Sequence, residues 1–153
     1  MKRFRIAMIR YLFLLFFSMF FDGLSIAQEH ITWDFTYNSS TSEIEMKASL
    51  DNGWHIYSQH LAENAGPVPT RFIFQKDKAF KLSTKVMEPT PIEEFDKNFE
   101  SNVKYFDKEV VFTNKVKVKK QGAVRGTVTY MICNEVMCMP PVDQQFEIKI
   151  PKE

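Results

Sequence analysis

With 153 residues, 44% of them hydrophobic and 25% charged, the chain has the composition of one globular domain and not of a disordered or collagen-like polymer. A formal net charge of +1 leaves no basic excess for neutralising phosphates, which argues against nucleic acid as the main partner. The chain has five glycines but no G-x-G-x-x-G and no G-x-x-x-x-G-K-[ST] pattern, so the common phosphate-cradling loops are excluded, and no small-molecule cofactor is expected.

The first segment reads as an export signal. Lys2, Arg3, Arg5 and Arg10 form a basic head, Tyr11–Phe21 is almost wholly apolar, and Ser25-Ile26-Ala27 supplies small residues at a cleavage site. This is the order of a secretory signal peptide. The apolar run is about half the roughly 20 residues needed to span a bilayer. Residues 1–27 are therefore expected to be removed after Ala27, leaving a domain of residues 28–153 with a net charge of −2. No cysteine follows the cut, so a lipid anchor is not expected.

The rest alternates with period two. Ile44, Met46, Ala48 and Leu50 form one such set. Phe72 and Phe74, then Val116 and Val118, then Val128, Tyr130 and Ile132, then Phe146, Ile148 and Ile150 form others. Period two puts each set on one face of a strand, and the runs are rich in the β-branched and aromatic residues that suit a pleated surface. Turn residues separate them at Asn38-Ser39-Ser40, Asp51-Asn52-Gly53, Gly66–Pro69, Pro89-Thr90-Pro91, Gln121-Gly122 and Pro140-Pro141. No stretch outside the leader has a helical period. The expectation is an all-β chain of eight or nine short strands, folded as an antiparallel β-sandwich. Residues 88–103 are the longest stretch without alternation and read as a long loop.

The two cysteines, Cys133 and Cys138, lie between a strand at 127–132 and another at 145–150. Four intervening residues let the sulfurs meet across a tight turn, and an exported protein meets an oxidising compartment. A disulfide closing so small a ring stabilises by only about 2 kcal/mol, against nearly 5 for a ring of about 100 residues. Three readings stay open on the residues alone. The pair is a redox centre, or a structural staple in a non-catalytic binding sandwich, or part of a Cu(I) site with the flanking Met131, Met137 and Met139. His30, His55 and His60 lie apart from the cysteines in sequence and read as surface or packing residues, and no zinc-type ligand set is present. Glu135 lies between the cysteines and no Lys or Arg does, so no neighbouring cation favours the thiolate.

Several blocks resemble the N-terminal periplasmic domain of the thiol:disulfide interchange protein DsbD. They are Asp51-Asn-Gly53-Trp54-His-Ile-Tyr57-Ser, Gly66-Pro67-Val68-Pro69-Thr70, and Tyr130-Met-Ile-Cys133-Asn-Glu-Val-Met-Cys138-Met-Pro140-Pro141. The resemblance implies an immunoglobulin-like sandwich with a redox pair at one edge. It also implies a protein-disulfide reductase component of the periplasm, passing electrons to thioredoxin-like periplasmic proteins, including cytochrome c maturation factors, with no metal. Cys138 would form the mixed disulfide and Cys133 would resolve it. Glu93-Glu94-Phe95 resembles the cap loop that shields the sulfurs in the family, with Phe95 as the shield, and Trp54 and Tyr57 would lie near the sulfurs. The chain departs from better-known members in having one residue fewer between the cysteines. It ends at Glu153, just after the sandwich, which implies a separate membrane electron donor.

Overall fold

A computed structural model describes residues 30–83 and 85–151; the expected signal peptide lies outside the described residues. Among these the chain forms eleven strands and no helix. They are β1 (Ile31–Asn38), β2 (Glu43–Leu50), β3 (His55–Tyr57), β4 (Arg71–Phe74), β5 (Phe80–Leu82), β6 (Ile92–Asp96), β7 (Ser101–Asp107), β8 (Glu109–Val118), β9 (Gly122–Tyr130), β10 (Ile132–Cys133) and β11 (Val142–Ile150). The architecture is the expected antiparallel, immunoglobulin-like β-sandwich.

Two sheets make the sandwich. One has the order β1-β2-β8-β5 and the other β11-β9-β4. The alternating sets meet between them: Ile44, Met46 and Ala48 on β2, Val110, Phe112 and Val116 on β8, Val124, Val128 and Tyr130 on β9, and Phe146, Ile148 and Ile150 on β11 are all buried in one core. Aromatic rings fill its centre. Phe112 is fully buried, with Phe72 at 5.1 Å and Phe106 at 5.8 Å between ring centroids. Gly126 lets the layers close, because a Cβ there would meet the Ile73 carbonyl oxygen and the Phe146 ring, each at 2.6 Å.

A third sheet, β10-β3-β7-β6, grows from one end of the sandwich. Its strands continue those of the other two sheets: β9 passes through Met131 into β10, and β7 passes into β8 at Lys108, whose positive φ of 57° turns the chain. The eleven strands exceed the eight or nine expected, and the reading of 88–103 also needs correction. The stretch 88–103 is not a loop; it contains β6 and the start of β7, paired from Ile92↔Tyr105 to Asp96↔Ser101. β6 lies at a sheet edge with Ile92 and Phe95 both exposed, so neither face demands apolar residues and no alternation marks it.

Truncating the central ring tests the core. Phe112→Ala is expected to lower stability by about 3–5 kcal/mol, read as a fall in the urea-unfolding midpoint at unchanged slope.

Candidate functional site

The third sheet has two unlike faces, because neighbouring residues on a strand point opposite ways. Ile56, Phe106 and Ile132 face the sandwich core. The residues between them face the other way: Cys133 pairs opposite His55, His55 opposite Asp107, and Tyr57 opposite Tyr105. On this second face Cys133, Tyr57, Ala65 and Val103 form a separate buried cluster, packed by Leu61, Phe99, Tyr105, Met131 and Cys138.

The two cysteines form a disulfide with Cα atoms 4.0 Å apart. They face each other directly across a hairpin whose two-residue loop is Glu135-Val136. On either side of the pair, Asn134 N–H donates to the Met137 carbonyl (2.9 Å) and Met139 N–H donates to the Ile132 carbonyl (2.9 Å). The loop holds its shape through Asn134 Oδ1, which accepts from the N–H groups of Val136 (2.9 Å) and Met137 (2.8 Å). This Asx turn explains how four intervening residues suffice. The two sulfur-bearing residues are unequally covered: Cys133 has 0% exposure, whereas Cys138 is half-buried.

The β6–β7 hairpin lies beside this pair. Glu94 and Asp96 share the cysteine face. The Tyr57 hydroxyl donates to Asp96 Oδ2 (2.7 Å) and the Tyr105 hydroxyl to Glu94 Oε2 (2.7 Å). Because the Tyr57 proton is committed to Asp96, His55 Nε2–H donates to the Tyr57 oxygen (3.1 Å). Burial holds the His55 pKa below its ordinary 6.5, against the pull of Asp96, Glu135, Glu94 and Asp107. Burial, and then the bond to Asp96, push Tyr57 up. Tyr105 is pushed up to about 12 by burial and then by Glu94. From the hairpin tip, Asn98 Nδ2 donates to the Asn134 carbonyl (3.3 Å), joining the β6–β7 and cysteine hairpins.

Not every expected site residue lies in the cysteine cluster. Tyr57 does. Trp54 has the parity of Ile56, packs into the sandwich core and stacks on His30 at 4.2 Å. Glu93 lies on the far face of β6, paired with Lys104 at 3.1 Å. Phe95 shares that far face by register; it is 56% exposed and borders a small recess of about 90 Å³ with Asn134 and Glu135. Phe99, from the hairpin tip, packs on the cysteine cluster alongside Tyr105 and is set edge-on to Tyr57 at 6.1 Å. Gly66 receives it: its φ is +94° and a Cβ there would collide with Phe99 Cδ1. Phe99, Asp96, Tyr105 and His55 were not singled out by sequence as site residues; the available signal was the Asp96-Lys97-Asn98 turn, which marks a hairpin tip. The three methionines diverge. Met131 packs on the cysteine cluster, Met139 on the sandwich core, and Met137 is exposed. Among the described residues no group of three or more His, Cys, Asp or Glu is placed to hold a metal.

The family model described as "Thiol:disulfide interchange protein DsbD, N-terminal" matches residues 25–150. Solved structures are similar in fold. The N-terminal domain of DsbD from Neisseria meningitidis, in its reduced form, has 16% identity and a TM-score of 0.58, over 78% of this chain and 85% of that one. The same domain in complex with the PilB N-terminal domain has 12% identity and a TM-score of 0.58, over 82% and 88%. The N-terminal periplasmic domain of ScsB from Proteus mirabilis has 19% identity and a TM-score of 0.54, over 78% of this chain and 46% of that one. No curated protein matches the sequence.

The His55 environment predicts a pH dependence. A depressed folded pKa contributes stability that is present above pH 6.5 and lost as the pH falls through the depressed value. Between pH 7.5 and 5.5 the urea midpoint of the protein is expected to fall, and His55→Gln is expected to flatten that fall.

Proposed function

The chain belongs to the family of the N-terminal domain of the thiol:disulfide interchange protein DsbD, and from that premise we propose that it is a periplasmic thiol–disulfide exchange domain, relaying electrons through Cys133 and Cys138 from a membrane-embedded donor to thioredoxin-like proteins. The observation that carries this reading is the unequal cover of the pair, with Cys133 fully buried and Cys138 half-buried in a two-residue-loop hairpin at the domain surface. The unequal cover supports a division of roles, with Cys138 as the residue that meets a partner and Cys133 as the one that resolves.

The exchange runs as follows. The Cys138 thiolate of the reduced pair attacks one sulfur of the partner disulfide, and the partner's other sulfur leaves as a thiolate. The Cys133 thiolate then attacks Cys138, closes the intramolecular bond and releases the partner's first sulfur. Two electrons pass to the partner, and the pair is left oxidised. Phe99 shields the closed bond and the β6–β7 hairpin carries that shield. The exposed Val136 and Met137 at the hairpin tip offer apolar surface beside Cys138 for a docking partner. The acidic groups around His55 disfavour a thiolate on this face, so its activation belongs to the docked complex.

Two measurements test this. Reduced Cys133→Ser, mixed with an oxidised thioredoxin-like protein, is expected to accumulate a mixed disulfide on a non-reducing gel, whereas Cys138→Ser is not. If both variants are folded and neither traps the partner, the bond is a staple. Phe99→Ala is expected to speed reduction of the native disulfide by dithiothreitol several-fold, while Phe95→Ala leaves the rate within about twofold. The opposite order would return the shield to Phe95.

A further inference from the structure

A second concave surface lies away from the cysteines. Between the edge of β4 and the segment 85–91 the sandwich opens into a groove of about 720 Å³. Its walls include Phe72, Phe74, Val86 and Met87. Met87 is 62% exposed and bridges back to Thr113 on β8. Two features of this groove go unexplained by the fold.

The first is Asn114. On β8 it takes its turn in the core-facing row Val110, Phe112, Asn114, Val116, where an apolar residue would pack. It is 2% exposed. Its Nδ2 donates to the Ser83 carbonyl at 3.4 Å, but among the described residues its buried Oδ1 has no partner, and the residue lines the groove. A buried acceptor without a donor is destabilising and rare in native structures.

The second is the edge of β4, the outer strand of its sheet. Gln75 N–H donates to the Arg125 carbonyl at 2.9 Å. Hydrogen-bonded and non-bonded pairs alternate in an antiparallel ladder, so Arg71 and Ile73 turn their backbone groups to β9 while Phe72 and Phe74 turn theirs to the open edge. A row of unpaired backbone groups beside an apolar groove is a template for one more strand. The charges facing the groove are Arg71, Lys85, His60 and Glu88. The Glu88 carboxylate is already engaged by the Ser58 hydroxyl, the Gln59 N–H and the Gln59 side chain. Arg71 and Lys85 are exposed, and among the described residues neither takes part in an ion pair.

We propose that this groove docks an extended segment of a partner protein, which adds to β4 as a further strand, points alternate side chains into the groove with one polar donor on Asn114 Oδ1, and carries acidic residues opposite Arg71 and Lys85. The docking goes beyond the exchange reaction and needs no free thiol, so it stands or falls independently of the cysteine chemistry.

The test is a selection of phage-displayed random nonapeptides against the oxidised protein, followed by titration of the enriched synthetic peptides into isotopically labelled protein. Enriched peptides are expected to alternate apolar residues and to carry Asp or Glu. Their binding is expected to shift the backbone amides of Phe72 and Phe74 and the side-chain amide of Asn114. Asn114→Val, which completes the apolar row, is expected to weaken binding at least tenfold. Arg71→Glu alters only an exposed side chain, decides the matter if the first variant fails to fold, and is expected to weaken binding of the acidic peptides by a similar factor. The proposal is overturned if no peptide is enriched, if enriched peptides shift the cysteine hairpin and leave Phe72 and Phe74 unmoved, or if Arg71→Glu binds as well as the parent. It is equally overturned if the same amides shift with protein concentration alone, which would make a second copy the occupant.

Discussion

Adjacent residues on a strand face opposite ways, and the site exists because three short strands of the third sheet obey this rule together. Ile56, Phe106 and Ile132 turn inward and fasten the sheet to the sandwich core. Their neighbours His55, Tyr57, Tyr105 and Cys133 turn outward and meet on one face. A slip of one residue in any of these strands would send apolar anchors to the surface and a cysteine or tyrosine into the core. Both outcomes cost several kcal/mol, because a large apolar side chain is lost from the core and a polar group is buried unpaired. The register that secures the fold therefore also fixes which side chains can meet the disulfide.

The chemistry of that face follows from what is placed there. The disulfide joins opposed residues of a tight hairpin, so opening it frees a short turn and leaves the sandwich core untouched. Around it stand Asp96, Glu94, Asp107 and Glu135, each acting on His55 through its charge. The tyrosine hydroxyls spend their protons on two of these carboxylates. The result is a hydrogen-bonded acidic surround in which the sulfurs are held and covered. Phe99 packs on the cysteine cluster and Gly66 permits it: only a residue without a side chain leaves room for that ring, and its positive φ suits glycine.

The sequence was most legible where one face of a strand is buried and the other is wet. β2, β8, β9 and β11 show the expected alternation because core and solvent select opposite residue types at successive positions. β6 was missed because solvent meets both of its faces, and β3, β5 and β10 are too short, at two or three residues, for a period to register. Motif resemblance identified the cysteine hairpin, since its residues are contiguous. It served less well for the cap, where what matters is which side of β6 a residue occupies and how far the hairpin tip reaches. Parity could have separated Trp54 from Tyr57, given that Ile56 between them is apolar. No local rule could have brought His55 opposite Cys133, because that pairing spans 78 positions in sequence.

Stability is unevenly distributed between the parts, and this bears on how a covered disulfide can be reached at all. The sandwich holds the long strands and nearly all of the large buried side chains. The tip of the β6–β7 hairpin contributes Phe99 to the cysteine cluster, beside Val103 and Tyr105 from the body of β7, and is held by hydrogen bonds from Tyr57 to Asp96, from Asn98 to the Asn134 carbonyl and from Ser101 to the Ala65 carbonyl. Both of its bonding carboxylates, Glu94 and Asp96, sit on an edge strand paired on one side only. Elements with few buried apolar contacts open at a small fraction of the global unfolding free energy. Displacing the tip therefore requires breaking a few exchangeable contacts and leaves the Ile56, Phe106 and Ile132 anchors in place. The framework that sets the site's geometry does not depend on the tip, which is the mechanical condition the proposed exchange places on the half-buried Cys138.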